Sequence, residues 1–268
     1  LAETRRRRNR RLQDIRLMDR QEQDTGLLGS VGNFIARKGR RVWPLTVTAK
    51  KQIAPRMVRV EFSGPDLDEL IWTRGQDVVL EIPAADGIAR RHYTIRSHDP
   101  KARTLAIDFV LHGEGASGPW LEALKPGDFV NAVGPRGHTY LRPADWHLFT
   151  GDETCIPGIF AMLESLPHAA QGFAFIEVDS EADIVPLQTH AKITWLFRNG
   201  AKAGPNRLFY DAVEKFDFPD GSGFAYIIGE TSNVRGLRHR LLDRGFPRDR
   251  IAAEGYWRPG RVGGHDHV

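Results

Sequence analysis

The sequence has one cysteine, Cys155, among its 268 residues. One cysteine excludes a disulfide framework within the chain and a metal site built from thiolates alone. The tail histidines His265 and His267 are too few for a specific site, so no metal site is predicted. The sequence lacks the apolar run of about 18 residues that a transmembrane helix needs, and its first residues lack the apolar core of a secretory signal. A reducing cytoplasm is therefore the expected location.

Positive charge is concentrated at one end of the sequence. Residues 1–41 contain twelve Arg or Lys and five Asp or Glu, a net charge of +7, whereas the remaining 227 residues have 26 basic and 29 acidic side chains, a net charge of −3. Such a basic extension can be a solvated, partly helical tail, or it can bind nucleic acid or an anionic membrane. Specific nucleic-acid binding is not expected, because the rest of the chain is net acidic and has no recognition motif.

Within this extension, five apolar residues occur at helical spacing just before a basic cluster. They are Leu27, Leu28, Val31, Phe34 and Ile35. This pattern predicts an amphipathic helix, which either packs on its own domain or makes peripheral contact with a membrane.

From Val42 the sequence changes to short alternating or β-branched runs, each bounded by Gly, Pro, Asp or Asn. The runs cover residues 45–48, 57–62, 77–82, 91–96, 104–110 and 129–133, with a short helix around 120–124. Evenly spaced short strands are typical of an antiparallel barrel or sandwich. Residues 42–143 are therefore expected to form an antiparallel, Greek-key β-barrel.

After Pro143 the pattern becomes one of alternating strands and helices. Strands are predicted at 146–150, 173–178, 193–197, 224–228 and 251–257, with helices at 157–166 and 232–244. Strongly apolar strands that alternate with helices indicate a doubly wound parallel sheet. Residues 144–268 are therefore expected to form an α/β nucleotide-binding domain.

The segment 91–96 reads Arg-His-Tyr-Thr-Ile-Arg and is the first candidate site. Strand alternation places Arg91 and Tyr93 on one face and His92 and Thr94 on the other. These groups suit a flavin nucleotide, because the ring can stack on the flavin, the hydroxyl can bond a ring nitrogen and a guanidinium can pair with pyrophosphate. The same residues are also compatible with ordinary cross-strand packing.

A glycine-rich turn at 112–118 follows the strand at 104–110 and opens the next helix. The backbone N–H groups of such a turn favour a phosphate. The alternative is an ordinary turn in which Ser117 caps the helix and His112 is a structural group.

Two further turns occur at strand ends in the second half, at 151–154 and 229–232. The carboxyl ends of strands are where a doubly wound sheet binds nucleotides. Neither turn is Gly-x-Gly-x-x-Gly, so the usual dinucleotide fingerprint is missing. The two turns predict a shared crevice.

In this order, the motifs resemble those of the siderophore-interacting protein family, which are NAD(P)H-dependent ferric-siderophore reductases of the ferredoxin-reductase-like superfamily. The resemblance covers about residues 42–262 and leaves residues 1–41 outside. The residues that carry it are Arg91, Tyr93, Thr94 and Arg96; 108–110, His112 and Gly113; Ala116 and Ser117; Gly127 and Asp128; 134–137; 151–154; Gly229 and Glu230; and 255–258 with Gly260.

The resemblance implies FAD in the barrel lobe and NADPH or NADH in the α/β lobe. FAD would contact Arg91, Tyr93 and Thr94 through its flavin and phosphates, Asp108, Val110 and His112 along its nucleotide portion, and Ala116 and Ser117 at the pyrophosphate. The nicotinamide cofactor would lie against Asp152, Glu153, Thr154, Gly229 and Glu230. Arg198 would pair with a 2′-phosphate and favour NADPH, or it is a solvated loop charge.

The implied reaction reduces iron in a ferric siderophore and needs no side-chain acid, base or nucleophile. Arg74, Arg136 and Arg258 are the candidates for attracting an anionic siderophore, although each can instead form an ordinary surface or inter-lobe pair. A monomer is expected. Two alternatives stay open: a general NAD(P)H:flavin or ferredoxin–NADP reductase, and a siderophore-binding module without turnover. Cys155, at a helix start, is either a packing residue or a reactive thiol.

Overall fold

The computed structural model describes residues 41–84, 87–111, 117–261 and 266–267, the last two by their backbone. The helix predicted around 27–35 lies outside the described residues. Strands and helices are numbered separately along the chain from residue 42.

An antiparallel sheet of seven strands comes first. Its strands are β1 (Val42–Ala54), β2 (Met57–Ser63), β3 (Asp77–Ala84), β4 (Gly87–Thr94), β5 (Ser97–Asp99), β6 (Thr104–Val110) and β7 (Phe129–Arg136), in the order β4-β3-β7-β1-β2-β6-β5. The rings of Tyr93 on β4 and Phe109 on β6 have centroids 4.4 Å apart. The sheet therefore curls until its two sides meet, which confirms the predicted antiparallel barrel as an open half-barrel.

Period-two patterning explains the curl. On β1 the side chains of Trp43, Leu45 and Val47 are buried in alternation, and on β2 those of Val60 and Phe62 are buried in the same way. Each strand thus presents one apolar face, and burial of these faces in a common core gives the sheet its hydrophobic stabilisation. The short helix α1 (Ser117–Ala123) joins β6 to β7.

The second half contains a sheet of six strands. They are β8 (Trp146–Asp152), β9 (Gln171–Val178), β10 (Lys192–Phe197), β11 (Gly223–Glu230), β12 (Ile251–Trp257) and β13 (Asp266–His267), in the order β10-β9-β8-β11-β12-β13. The first five strands are parallel and β13 is antiparallel. Connections through helices are what parallel strands require.

Helices cover both faces of this sheet, so the doubly wound prediction is confirmed. Helix α2 (Ile156–Leu163) packs on the face that includes Phe149 and Tyr226. Helices α3 (Leu208–Glu214) and α4 (Thr231–Asp243) pack on the face that includes Leu148 and Ile227. The helices on both faces leave β8 buried along its whole length and β11 buried at every residue after the first.

Helix α3 was not predicted from the sequence. The side-chain oxygen of Asn206 accepts a hydrogen bond from the backbone N–H of Leu208 at 2.9 Å, and this local contact opens the helix. Phe209 and Val213 are its buried residues. Among the described residues, no helix is both long and apolar enough to cross a lipid bilayer.

The two lobes contact one another directly. Arg142, between β7 and β8, donates its backbone N–H to the phenol oxygen of Tyr226 at 2.7 Å, and burial raises the pKa of Tyr226 to about 12. Thr139 donates its hydroxyl to Glu254 on β12 at 2.6 Å. These contacts join the segment that follows the half-barrel to strands β11 and β12. Boundaries at 41/42 and 143/144 stay a prediction.

Candidate active site

Strand β4 carries three predicted flavin residues, and the last of them, Thr94, reaches the junction of the two lobes. The Tyr93 ring packs on Phe109, and its phenol hydrogen-bonds Ser117; burial raises the pKa of Tyr93. Thr94 is buried and hydrogen-bonds Tyr256 of β12. Arg91 is half-buried and donates to the carbonyl of residue 90 at 3.0 Å. An aromatic ring, a hydroxyl and a cation thus lie along one strand.

Helix α2 approaches Thr94 closely. A Cβ atom added at Gly158 would lie 3.3 Å from Cγ2 of Thr94. The first turn of this helix follows directly from the strand-end turn at 152–155. Thr94, the last residue of the predicted flavin strand, therefore lies close to the helix that follows the predicted nicotinamide turn.

The residues predicted for the nucleotide portion of FAD are only partly described. Asp108 is buried, and its carboxylate accepts two hydrogen bonds from Arg59 at 2.6 and 2.8 Å, which raises the pKa of Arg59. Asp108 therefore forms an ion pair within the sheet. Val110 ends β6 half-buried, and Ser117 begins α1. His112 and Ala116 lie outside the described residues.

Asp152 joins the ends of three strands through one buried carboxylate. Its Oδ1 accepts from the backbone N–H of Thr154 at 2.9 Å and from the Thr154 hydroxyl at 2.5 Å. Its Oδ2 accepts from the backbone N–H of Glu230 at 3.0 Å and from Nε1 of Trp257 at 2.8 Å. Burial raises the pKa of Asp152. The predicted turns at 151–154 and 229–232 are therefore adjacent.

Gly229 makes this arrangement possible. Its φ is +126°, and a Cβ atom there would lie 2.6 Å from Oδ2 of Asp152. Glu230, which follows it, accepts the backbone N–H of Asn233 at 2.9 Å and so caps α4. The other oxygen of Glu230, Oε1, is buried and has no hydrogen-bond partner among the described residues. An acceptor of this kind suits an amide donor.

Arg198 is not a solvated loop charge, so that prediction is wrong, whereas its pairing with a 2′-phosphate stays a prediction. Its guanidinium donates to Glu153 at 2.6 and 2.7 Å and to Glu177 at 3.1 Å, and its side chain is 2% exposed. Burial alone would lower the pKa of Arg198, but the two carboxylates raise it above its ordinary value. Glu153 is likewise committed to this buried cluster.

Cys155 is a packing residue. Its side chain is fully buried in the core beside α2, and burial raises the pKa of the thiol well above its ordinary value. A raised pKa keeps the thiol protonated, so the prediction of a reactive thiolate is wrong.

The three candidate siderophore arginines lie in different settings. Arg74 is exposed, and its guanidinium stacks over Trp72 at 5.5 Å from the ring centroid. Arg258 is exposed just after β12. Arg136, at the end of β7, is half-buried beside Asp77 and His92. Each of the three arginines therefore has a different local environment.

Sequence reasoning missed three residues of this region. Asp77 and His92 contact Arg136, and Tyr256 bonds Thr94 across the lobes. Tyr256 belongs to the Gly255-Tyr256-Trp257 segment that carried the resemblance, but it received no role. The alternation of β4 could have found His92, because it places His92 on the same face as Thr94.

The residues present fit FAD. Tyr93 offers a ring, Thr94 offers a hydroxyl at the lobe junction, and Arg91 offers a guanidinium for a phosphate. The nicotinamide side offers a turn closed by Asp152 and the buried acceptor of Glu230. Such a pair of neighbouring sites can support electron transfer between two bound cofactors.

Comparison with known proteins agrees with this geometry. Residues 144–260 match the family model "Siderophore-interacting protein", and residues 73–139 match "Siderophore-interacting FAD-binding domain". The chain is 31% identical to the ferric vibriobactin reductase ViuB of Vibrio cholerae over 250 residues, which are 82% of this chain and 92% of that protein.

Two further relatives agree. An NADPH-dependent ferric-chelate reductase of Escherichia coli is 29% identical over 167 residues, 60% of this chain and 63% of that protein. The crystal structure of a siderophore utilization protein from T. fusca superimposes with a TM-score of 0.78 at 36% identity, and the match covers 83% of this chain and 95% of that one. A full-length likeness at this identity covers both lobes.

Proposed function

The chain belongs to the siderophore-interacting protein family, and we propose that it is an FAD-dependent reductase that uses NAD(P)H to reduce ferric iron held in siderophores. The names of two relatives support this proposal. One is a ferric vibriobactin reductase, which supports the substrate, and the other is an NADPH-dependent ferric-chelate reductase, which supports the reductant. NADPH is the reductant to test first, because the Escherichia coli relative is described as dependent on it.

The position of Thr94 is the observation that carries the proposal. Thr94 ends the strand that bears Arg91 and Tyr93, and it contacts both Tyr256 of β12 and the first turn of α2. A flavin held by this strand would therefore face the strand ends where a doubly wound sheet binds a nucleotide. Transfer between two cofactors requires such proximity.

When bound, FAD would accept two electrons as a hydride from NAD(P)H and give them singly to two ferric ions, which are the substrate. Tyr93 would stack against the flavin ring, and its own contact with Phe109 fixes the ring plane. Thr94 would bond a flavin nitrogen, and Arg91 would neutralise a phosphate. Asp152 would hold the turn that receives the nicotinamide cofactor, and Oε1 of Glu230 would accept from its carboxamide.

The first experiment loads the purified protein with FAD, removes free FAD by gel filtration and records the absorption near about 450 nm, where oxidised flavins absorb. Anaerobic NADPH should bleach this band, and a ferric siderophore should restore it while ferrous iron appears. Tyr93→Ala should lose most of the bound flavin. Tyr140→Ala, an aromatic change outside the proposed site, should retain it.

Two other results would redirect the proposal. Bound flavin that NADPH does not bleach would favour a binding module without turnover. If NADPH bleaches the absorption band and only free flavin or ferredoxin restores it, a general reductase would be favoured. Failure to retain any flavin would overturn the assignment of Arg91, Tyr93 and Thr94.

A further inference from the structure

Three charged or titratable side chains meet at one end of the half-barrel. Asp77 begins β3, and the strand register pairs it with Thr94 of β4 on one side and with Arg136 of β7 on the other. His92 lies two residues before Thr94 and therefore on the same face of β4. The proposed flavin residue Thr94 thus lies directly beside this group.

The three side chains form a chain of hydrogen bonds. Nδ1 of His92 lies 2.6 Å from Oδ2 of Asp77, and Nε2 of His92 lies 3.3 Å from Nη1 of Arg136. Nε of Arg136 lies 3.7 Å from the same Asp77 oxygen. Gly137 permits the close approach, because a Cβ atom there would lie 2.9 Å from Oδ1 of Asp77.

The donors and acceptors assign one tautomer to His92. An arginine can only donate, so Nε2 of His92 must accept from Arg136. The ring proton is then on Nδ1, where it is donated to Asp77. Asp77 thereby selects the tautomer, and the tautomer selects the orientation of the Arg136 guanidinium. A carboxylate that fixes an imidazole in this way is a recurring device in protein sites.

We propose that Asp77 and His92 are positioning residues that hold Arg136 ready to bind an anionic ferric chelate, and that they thereby make the site select anionic over neutral chelates. This inference rests on the proposed function and adds two positioning residues to it. The Arg136 side chain is about one quarter exposed, so its contacts with Asp77 and His92 do not cover it completely.

Preorganisation is the physical basis of the selectivity. A long side chain that is already ordered loses less entropy when it binds, and its fork of N–H donors matches an array of anionic oxygens. Loss of the ordering contact should weaken binding about fivefold, the equivalent of one immobilised side chain. A neutral chelate of similar size gains little from the cation and should bind equally with or without the ordering contact.

Two substitutions of His92 separate positioning from packing. Glutamine places its amide oxygen near the position of Nε2, so His92→Gln keeps an acceptor for Arg136. Asparagine places its amide near Nδ1, so His92→Asn keeps the contact with Asp77 and loses the acceptor for Arg136. Both variants remove the ring and the titratable group alike.

The measurement is calorimetric titration of the FAD-loaded protein with two gallium(III) chelates, which have no accessible reduced state. Trianionic gallium tris(catecholate) and neutral gallium tris(acetohydroxamate) are the probes. We expect His92→Asn to bind the trianionic chelate about fivefold more weakly and His92→Gln to bind within twofold of wild type. The neutral chelate should bind all three proteins equally. With the iron forms, His92→Asn should raise KM for the catecholate and leave kcat unchanged.

Equal weakening in both variants, equal weakening for both chelates, or no weakening in His92→Asn would overturn the inference. If His92→Asn does not retain FAD, Arg136→Lys takes its place, because it keeps the charge and removes the fork. It should weaken the trianionic chelate alone. Wild type that binds the gallium chelates but reduces neither iron form would contradict the proposed function and not this inference.

Discussion

Arg96 of the half-barrel donates two hydrogen bonds to Glu164 at the end of α2, at 2.7 and 2.6 Å. The Arg96 side chain is 9% exposed, whereas Glu164 is about one third exposed. Arg96 also lies 3.8 Å from Asp108 and 5.9 Å from the centroid of the Phe160 ring. This pair therefore joins the flavin-side sheet to the helix that follows the Asp152 turn.

Substitution of Glu164 should weaken the junction between the lobes. Glu164→Ala leaves the buried Arg96 with only the more distant Asp108, so we expect a loss of about 1–2 kcal/mol in the free energy of unfolding. Urea unfolding followed by circular dichroism measures it. Glu214→Ala is the matched control, because Glu214 pairs with Arg240 at the surface. It should change stability little. Equal effects would show that Arg96–Glu164 behaves as a surface pair.

Gly229 should tolerate no side chain. Gly229→Ala places a Cβ atom 2.6 Å from Oδ2 of Asp152 in a backbone with φ of +126°. Gly245→Ala is the control, since its φ is +83° and a Cβ atom there meets nothing within 4 Å. We expect thermal unfolding to show a cost of about 1 kcal/mol for Gly245→Ala and at least twice that for Gly229→Ala. Similar losses would mean that backbone strain alone matters.

His147 should contribute to acid sensitivity. Its ring is buried beside the stacked rings of Phe149 and Tyr226, and burial lowers the pKa of His147 from 6.5 to about 4. The unfolded chain therefore binds the proton more tightly, so stability is retained above pH 6.5 and is lost as the pH falls towards 4.

The test compares His147→Phe with wild type by urea unfolding across that range. The free energy of unfolding should fall less steeply with pH in the variant, because the titrating group is gone. His168→Phe, a change at an exposed histidine, should leave the slope of wild type unaltered. An unchanged slope in His147→Phe would contradict the assignment.

Arg198 should act on stability and leave cofactor choice unchanged. Arg198→Met leaves Glu153 and Glu177 buried without their cation, and we expect a loss of about 3–5 kcal/mol. The ratio of KM for NADPH to KM for NADH should not change. Lys202→Met, at an exposed lysine nearby in sequence, is the control for lost charge. A selective rise in KM for NADPH at unchanged stability would restore the phosphate role of Arg198.

The architecture was predictable because its signals are local and repeated. The alternation on β1 and β2 follows from burial of one face, and the apolar runs within β8 and β11 follow from burial of both faces. Helix α3 was missed because it is seven residues long and its start depends on a single side-chain contact from Asn206. Such a contact leaves no periodic pattern in the sequence.

The sequence predicted where residues of the candidate site lie in the fold but did not predict which side chains they pair with. Thr94 ends β4 at the junction of the lobes, and Asp152 lies at the carboxyl end of β8, as strand ends indicate. The ion pairs between Asp108 and Arg59 and between Arg198 and Glu153 were not predictable, because the residues of each pair are 45 or more positions apart in the sequence. Charge pairing over such separations depends on the register of distant strands.

The carboxylate of Asp152 has a consequence for the way this crevice can change. This one carboxylate accepts hydrogen bonds from the turn after β8, from the turn after β11 and from the indole that ends β12. A mutation in any one of these turns therefore displaces the other two. We therefore expect ligand preference to change most readily through residues outside these three segments, and exchange of one turn to require exchange of all three together.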